Sequence, residues 1–155
     1  MQLVQNVDQK NYSLEELEAL CNEILNLDSK IRFVGIITDN GKLLVENKRK
    51  GLKVLITYKD LEILLMETAL GVRMRREHDA QLGPVNFTIS YGQNMISIIF
   101  PFGTEILCIT AEKDLDFFKI SFLIYQLLEA KIIKKNHSVM ERSTRSSIME
   151  KQNVS

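Results

Sequence analysis

The residues of this chain that could do chemistry are few and scattered. His78 stands between Glu77 and Asp79, a triplet that could bind a metal or move a proton. The other histidine, His137, is far away in sequence, so no second ligand cluster joins the triplet. A lone histidine at a helix end reads more simply as an exposed polar residue. Cys21 and Cys108 lie among apolar neighbours and form no CxxC pair. They read as two buried free thiols of a reducing compartment. Lys48, Arg49, Lys50 and Lys53 surround Gly51 and could receive a phosphate or an acidic partner. The loop lacks the ordered Gly-rich geometry of a phosphate cradle, so a solvated loop is the plainer reading. Arg73, Arg75 and Arg76 form a second basic cluster, which at the end of a helix complements its dipole. No Gly-rich nucleotide fingerprint, HExxH, GxSxG or carboxylate pair beside a histidine occurs. The expectation is a non-enzymatic protein with no catalytic residue, metal ligand or cofactor.

The elements that would position these residues are easier to read. The chain of 155 residues is one domain plus a tail, and its 45% hydrophobic and 26% charged residues are those of a soluble globular protein. The formal net charge is zero but unevenly spread. Residues 131–155 carry six basic and two acidic side chains, leaving the preceding body acidic. That division argues against a dedicated nucleic-acid-binding domain. The first ten residues lack the apolar core of a signal peptide, and no apolar run approaches the ~20 residues that span a bilayer. A cytoplasmic protein with no membrane insertion is expected.

Residues 1–12 are polar and are expected to be flexible. Ser13-Leu14-Glu15-Glu16 is a capping box, opening an amphipathic helix to about Leu27 with Leu14, Leu17, Cys21, Ile24 and Leu25 on its inner stripe. Ile31–Thr38 and Lys42–Glu46 flank Asn40-Gly41, a pair suited to a type I′ hairpin turn. The first of these strands is apolar on both faces and should be covered on both. A second helix, about Lys59 to Glu77, has an apolar pattern wider than one stripe. Leu61, Leu65, Thr68 and Val72 form one line and Ile63, Met66, Leu70 and Met74 another, so one face should meet the sheet and the other a further partner. Gly83-Pro84 ends this region, and three strands follow: Val85–Tyr91, Met95–Phe100 and Glu105–Thr110. Val85–Tyr91 alternates with polar residues and suits an edge. A third helix over about Leu115–Ile133, capped by Asp114, closes the domain, and residues 134–155 read as a basic tail, disordered or a frayed helix.

The order α-β-β-α-β-β-β-α predicts an α+β fold over residues 13–133: a five-stranded antiparallel sheet of order 2-1-5-4-3 with helices on both faces. The initial helix, the hairpin Val34-Gly35-Ile36-Ile37-Thr38-Asp39-Asn40-Gly41 and the long helix before a three-strand meander resemble the Roadblock dynein light-chain domain, a profilin-like sandwich. The run Met74–Pro84, with Phe100-Pro101 and Ala111-Glu112-Lys113-Asp114, also resembles a family of small archaeal proteins without an assigned function. Neither resemblance supplies a catalytic residue.

The Roadblock resemblance implies an interaction or regulatory scaffold module, homodimeric through the second helix and the adjacent edge strand. On this chain that interface would be Ile63, Met66, Leu70 and Met74 with Phe87, Ile89 and Tyr91 of Val85–Tyr91. The partners expected are a second copy and another regulatory protein. Two alternatives stay open: a PAS-like domain that senses a small ligand, and binding of nucleic acid or another anionic partner through Lys48–Lys53, Arg73–Arg76 and the tail.

Overall fold

The computed structural model describes residues 12–153. Its elements are α1 (Leu14–Leu25), β1 (Ile31–Thr38), β2 (Leu43–Lys48), α2 (Tyr58–Arg76), the one-turn α3 (Asp79–Leu82), β3 (Thr88–Tyr91), β4 (Ile96–Phe102), β5 (Glu105–Ala111) and α4 (Phe117–Gln152). The sheet is antiparallel throughout, in the order β2-β1-β5-β4-β3. This is the expected α+β architecture and strand order, with α3 as an addition. The expected flexible stretch 1–12 lies, but for Tyr12, outside the described residues. No helix among those described is long and apolar enough to cross a membrane.

The capping box forms as the sequence predicts: Ser13 Oγ accepts from the Glu16 N–H at 3.2 Å, and Glu16 accepts from the Ser13 N–H at 2.8 Å. The buried stripe of α1 is Leu17, Leu20, Cys21, Ile24 and Leu25. Leu14 is exposed instead, and Leu20 takes its place in the core.

Strand alternation divides the interior in two. Val34, Ile36, Ile98, Phe100, Leu107 and Ile109 face α1 and α4 and form the main core. Ile37, Ile106 and Cys108 face α2 and meet only Leu65 and Ala69 as fully buried partners. The second core is therefore thin. Gly35 lies on this thinner side, where a side chain would stand 2.7 Å from Phe33 Cζ, so the missing Cβ makes room for the Phe33 ring.

Four local expectations need correction. The hairpin turn is not type I′, because Asn40 does not adopt a positive φ. Gly41 alone does (+85°), and its N–H donates to the Thr38 carbonyl at 2.9 Å. Thr38 Oγ1 accepts from the N–H groups of Asn40 and Lys42, and the pairing slips between Ile36 and Ile37, a bulged turn of the kind that glycine closes. The first strand of the meander is short, beginning at Thr88, and Phe87 just before it packs into the main core against Phe100 and Phe122. Asp116, not Asp114, caps the last helix by accepting from the Lys119 N–H at 3.2 Å, while Asp114 pairs with Lys30. Finally, α4 does not stop at Ile133; of the two readings of the tail, disordered or helical, the helix is the one present, and it continues to Gln152. Composition marked that stretch as unable to pack a core, which is true of its side chains, but the α4 backbone carries on from a well-anchored first half.

Candidate functional site

α2 rests on β1 and β5 and leaves the rest of its sheet face uncovered. A groove of about 1070 Å³ results, floored by β4, β5 and β3 and walled by α2 and by the segment 49–58. Leu61, Leu64, Thr68 and Gly71 of α2 look onto it, and Thr88 and Ser90 of β3 line its far side. The wall opposite is unusually apolar for an irregular segment: Val54 is 79% exposed, and Leu55 and Ile56 are exposed beside it. Among the described residues β3 pairs with β4 alone, which leaves its outer edge open at the rim of the groove.

The expected interface residues do not come together. Ile63, Met66, Leu70 and Met74 are exposed, at 60% for Met66 and 61% for Met74, but they occupy the outer face of α2 and do not line the groove. Phe87 and Ile89 pack against the main core on the opposite face of the sheet. Tyr91 also points that way, against the Phe117 ring with Lys113 Nζ 4.8 Å above it. The two halves of the expected patch thus face opposite sides. The signal that sequence reading passed over was the polar half of the alternation: Thr88 and Ser90, not their apolar neighbours, share a face with α2.

The basic residues named for an anion divide between the two ends of the groove, and several are engaged within the fold. Arg49 donates to the carbonyls of Ile31 (2.8 Å), Leu25 (2.7 Å) and Asp28 (3.0 Å), closing the end of α1. Arg75 pairs with Asp79 at 3.1 Å and reaches the Gly83 carbonyl, and Arg76 donates to the Gly103 carbonyl at 3.0 Å. Lys48 lies 3.7 Å from Glu46, Lys53 lends its carbonyl to Arg32, and Lys50 and Arg73 are exposed away from the groove. Arg32 itself is held by Glu112, which pins the 49–58 segment to the sheet. Lys48, Arg49 and Lys53 therefore stand at one end of the groove and Arg75 and Arg76 at the other.

His78 is exposed at the start of α3, and its neighbour Asp79 is engaged by Arg75. No group of three or more His, Cys, Asp or Glu side chains among the described residues is placed to hold a metal. Cys21 and Cys108 are free and buried, and burial pushes both thiols up to about 12. Thiols held protonated at neutral pH are poor nucleophiles. What the site can do chemically is present apolar surface and an unpaired strand edge.

Solved structures that share this fold include the following three. MglB in a tetrameric arrangement superposes with a TM-score of 0.63 at 12% identity, over 86% of this chain and 96% of that one. Myxococcus xanthus MglB gives 0.56 at 14% identity, over 84% and 99%. The Roadblock/LC7 domain from Streptomyces avermitilis gives 0.58 at 7% identity, over 76% and 94%. No curated protein matches by sequence. By its sequence over residues 9–140, the chain belongs to the family of unknown function DUF6659.

Proposed function

We propose that this protein is a non-enzymatic interaction module that works as a homodimer, with the groove beside α2 and the edge of β3 as its contact surface. The observation that carries the reading is the open apolar groove running from α2 to an unpaired strand edge. A surface of that kind marks a partner site, and an edge strand favours pairing with another strand. Charge supports a second copy as the partner. The first half of α2 carries Asp60, Glu62 and Glu67 against one base, Lys59, and the second half carries Arg73, Arg75 and Arg76. Two such helices laid antiparallel bring acid to base at both ends. A fold relative, MglB, is described in a tetrameric arrangement, which agrees with self-association of this architecture. A regulatory role toward another protein is part of the same proposal.

The decisive experiment is solution mass by light scattering at tens of micromolar. Leu64→Glu places a charge on the groove wall and should weaken the dimer at least thirtyfold, from the ~2 kcal/mol that a buried leucine contributes. Met66→Glu and Leu70→Glu lie on the outer face and should leave it intact. A wild-type monomer sinks the proposal, and loss of the dimer in only the outer-face variants moves the contact to that row.

A second reading has its own support: the groove, at about 1070 Å³, is close to the upper size of small-molecule sites. A sensor of amphipathic ligands would stay monomeric and gain thermal stability with such a ligand, so the same mass measurement separates the two.

A further inference from the structure

α4 outlasts the fold that it closes. Its last ion pairs with the body are Lys131 Nζ to Glu23 at 3.1 Å and Lys135 Nζ to Glu16 at 2.9 Å. The Lys135 ammonium also lies 5.2 Å from the centre of the Tyr12 ring. From Met140 to Gln152 every residue is exposed, a projection of about 20 Å at the helical rise. Isolated helices of fewer than about 12–15 residues are marginal in water. Ser143, Thr144, Ser146 and Ser147 are weak helix formers. The projection also shows Val139, Met140, Ile148 and Met149 to solvent. It has the character of a helix that is completed by contact.

Charge indicates with what. Residues 134–152 hold five basic and two acidic side chains, whereas residues 12–133 hold 14 basic and 17 acidic. The acidic excess has a focus on the outer face of α1. Glu15 and Glu18, with Glu46 of β2, line a shallow cleft of about 370 Å³, and neither Glu15 nor Glu18 has an ion pair among the described residues. Leu14 is exposed on the same helix. α4 already binds α1 through lysine–glutamate pairs, but by Arg142 it has run past the start of its own α1. The α1 of another molecule is not so limited.

We propose that the projecting end of α4 docks across the α1–β2 face of a second copy, with Arg142 and Arg145 on Glu15 and Glu18. This contact is separate from the groove and the β3 edge, so it links copies whether or not they are paired through α2. Its strength should fall with salt, as for exposed ion pairs generally.

The test uses the full chain, with sedimentation velocity at low and high salt. Wild type should show a larger species at low salt that shrinks at high salt. R142E/R145E and E15K/E18K should each associate at least tenfold more weakly at this contact, because each sets like charges face to face. Mixing the two variants restores opposite charges and should restore the larger species. Neither double variant touches the groove, so the species set by Leu64→Glu is read independently. The proposal is overturned if both double variants associate like wild type, or if the mixture stays apart. It is equally overturned if wild type, but not R142E/R145E, binds duplex DNA or phosphatidylglycerol vesicles and forms no larger species; the projection would then serve a different partner.

Discussion

Gly41 lies against Met66: a methyl group placed on the glycine would stand 2.6 Å from the Met66 Cα and 2.9 Å from the Leu65 carbonyl oxygen. The tip of the β1–β2 hairpin is thus in contact with the backbone of α2, and it helps to set how far the helix sits from the sheet. Since α2 buries only Leu65 and Ala69, this contact is a large part of what locates it. Gly41→Ala should cost about 2 kcal/mol or more, from the left-handed backbone and the clash together. Gly51 is the control, with a similar φ (+79°) and nothing within 4 Å of a Cβ. Thermal unfolding should show Gly41→Ala clearly below Gly51→Ala; equal losses would mean that the hairpin does not brace the helix.

Arg49 should be structural and not a ligand residue. Its three carbonyl partners belong to the end of α1, the following turn and the start of β1. Arg49→Ala leaves these oxygens short of a donor and should cost roughly 2–3 kcal/mol. Arg49→Lys cannot reproduce the forked geometry and should recover only part of it. Urea unfolding midpoints check both, and an unchanged midpoint for alanine would contradict the assignment.

Glu16 should contribute to the acid limb of stability. Its bond to Lys135, then the Ser13 N–H, holds its carboxyl below the ordinary value of 4.5. A carboxylate whose folded value is depressed contributes stability above its ordinary value, and loses it as pH falls through the lower folded value. Melting temperature against pH should therefore drop less steeply below about pH 4.5 in Glu16→Gln, which keeps the capping geometry, than in wild type. Parallel curves would refute the coupling between α1 and α4.

Cys21 and Cys108, both near 12, should be silent toward a thiol reagent in the native protein at pH 8 and titrate as two thiols once denatured. Because the folded values are raised, ionisation penalises the fold as pH climbs above about 9, the ordinary thiol value. Stability should decline there, and less so in Cys108→Ala after allowing for its lost packing. Prompt reaction of either native thiol would show that its surroundings open.

The sheet and its order were legible because alternation is local and each strand states its own faces. Ile31–Thr38, apolar on both sides, had to be covered twice, and the meander had to end in a polar-sided edge. The capping box at Ser13 was equally plain, since both of its partners lie within four residues. Details that turn on distant contacts were less so. Asn40-Gly41 carries a two-residue turn signal, yet Thr38 and the approach of α2 make it a bulged one.

The candidate surface divides the same way. That α2 has more apolar residues than one buried face needs was determined by the sequence alone, as were the acidic body and the basic end. Which of its residues look into a groove was decided by the tertiary structure. The rotation of α2 on the sheet sets Leu64 and Gly71 toward the opening and Met66 and Leu70 away from it. The pleat of β3 turns Ile89 into the other core, where Phe87 just before the strand also packs. Periodicity gives the faces of each element, but the docking of one element on another chooses which face is left over, and that choice rests on contacts between residues far apart in the chain.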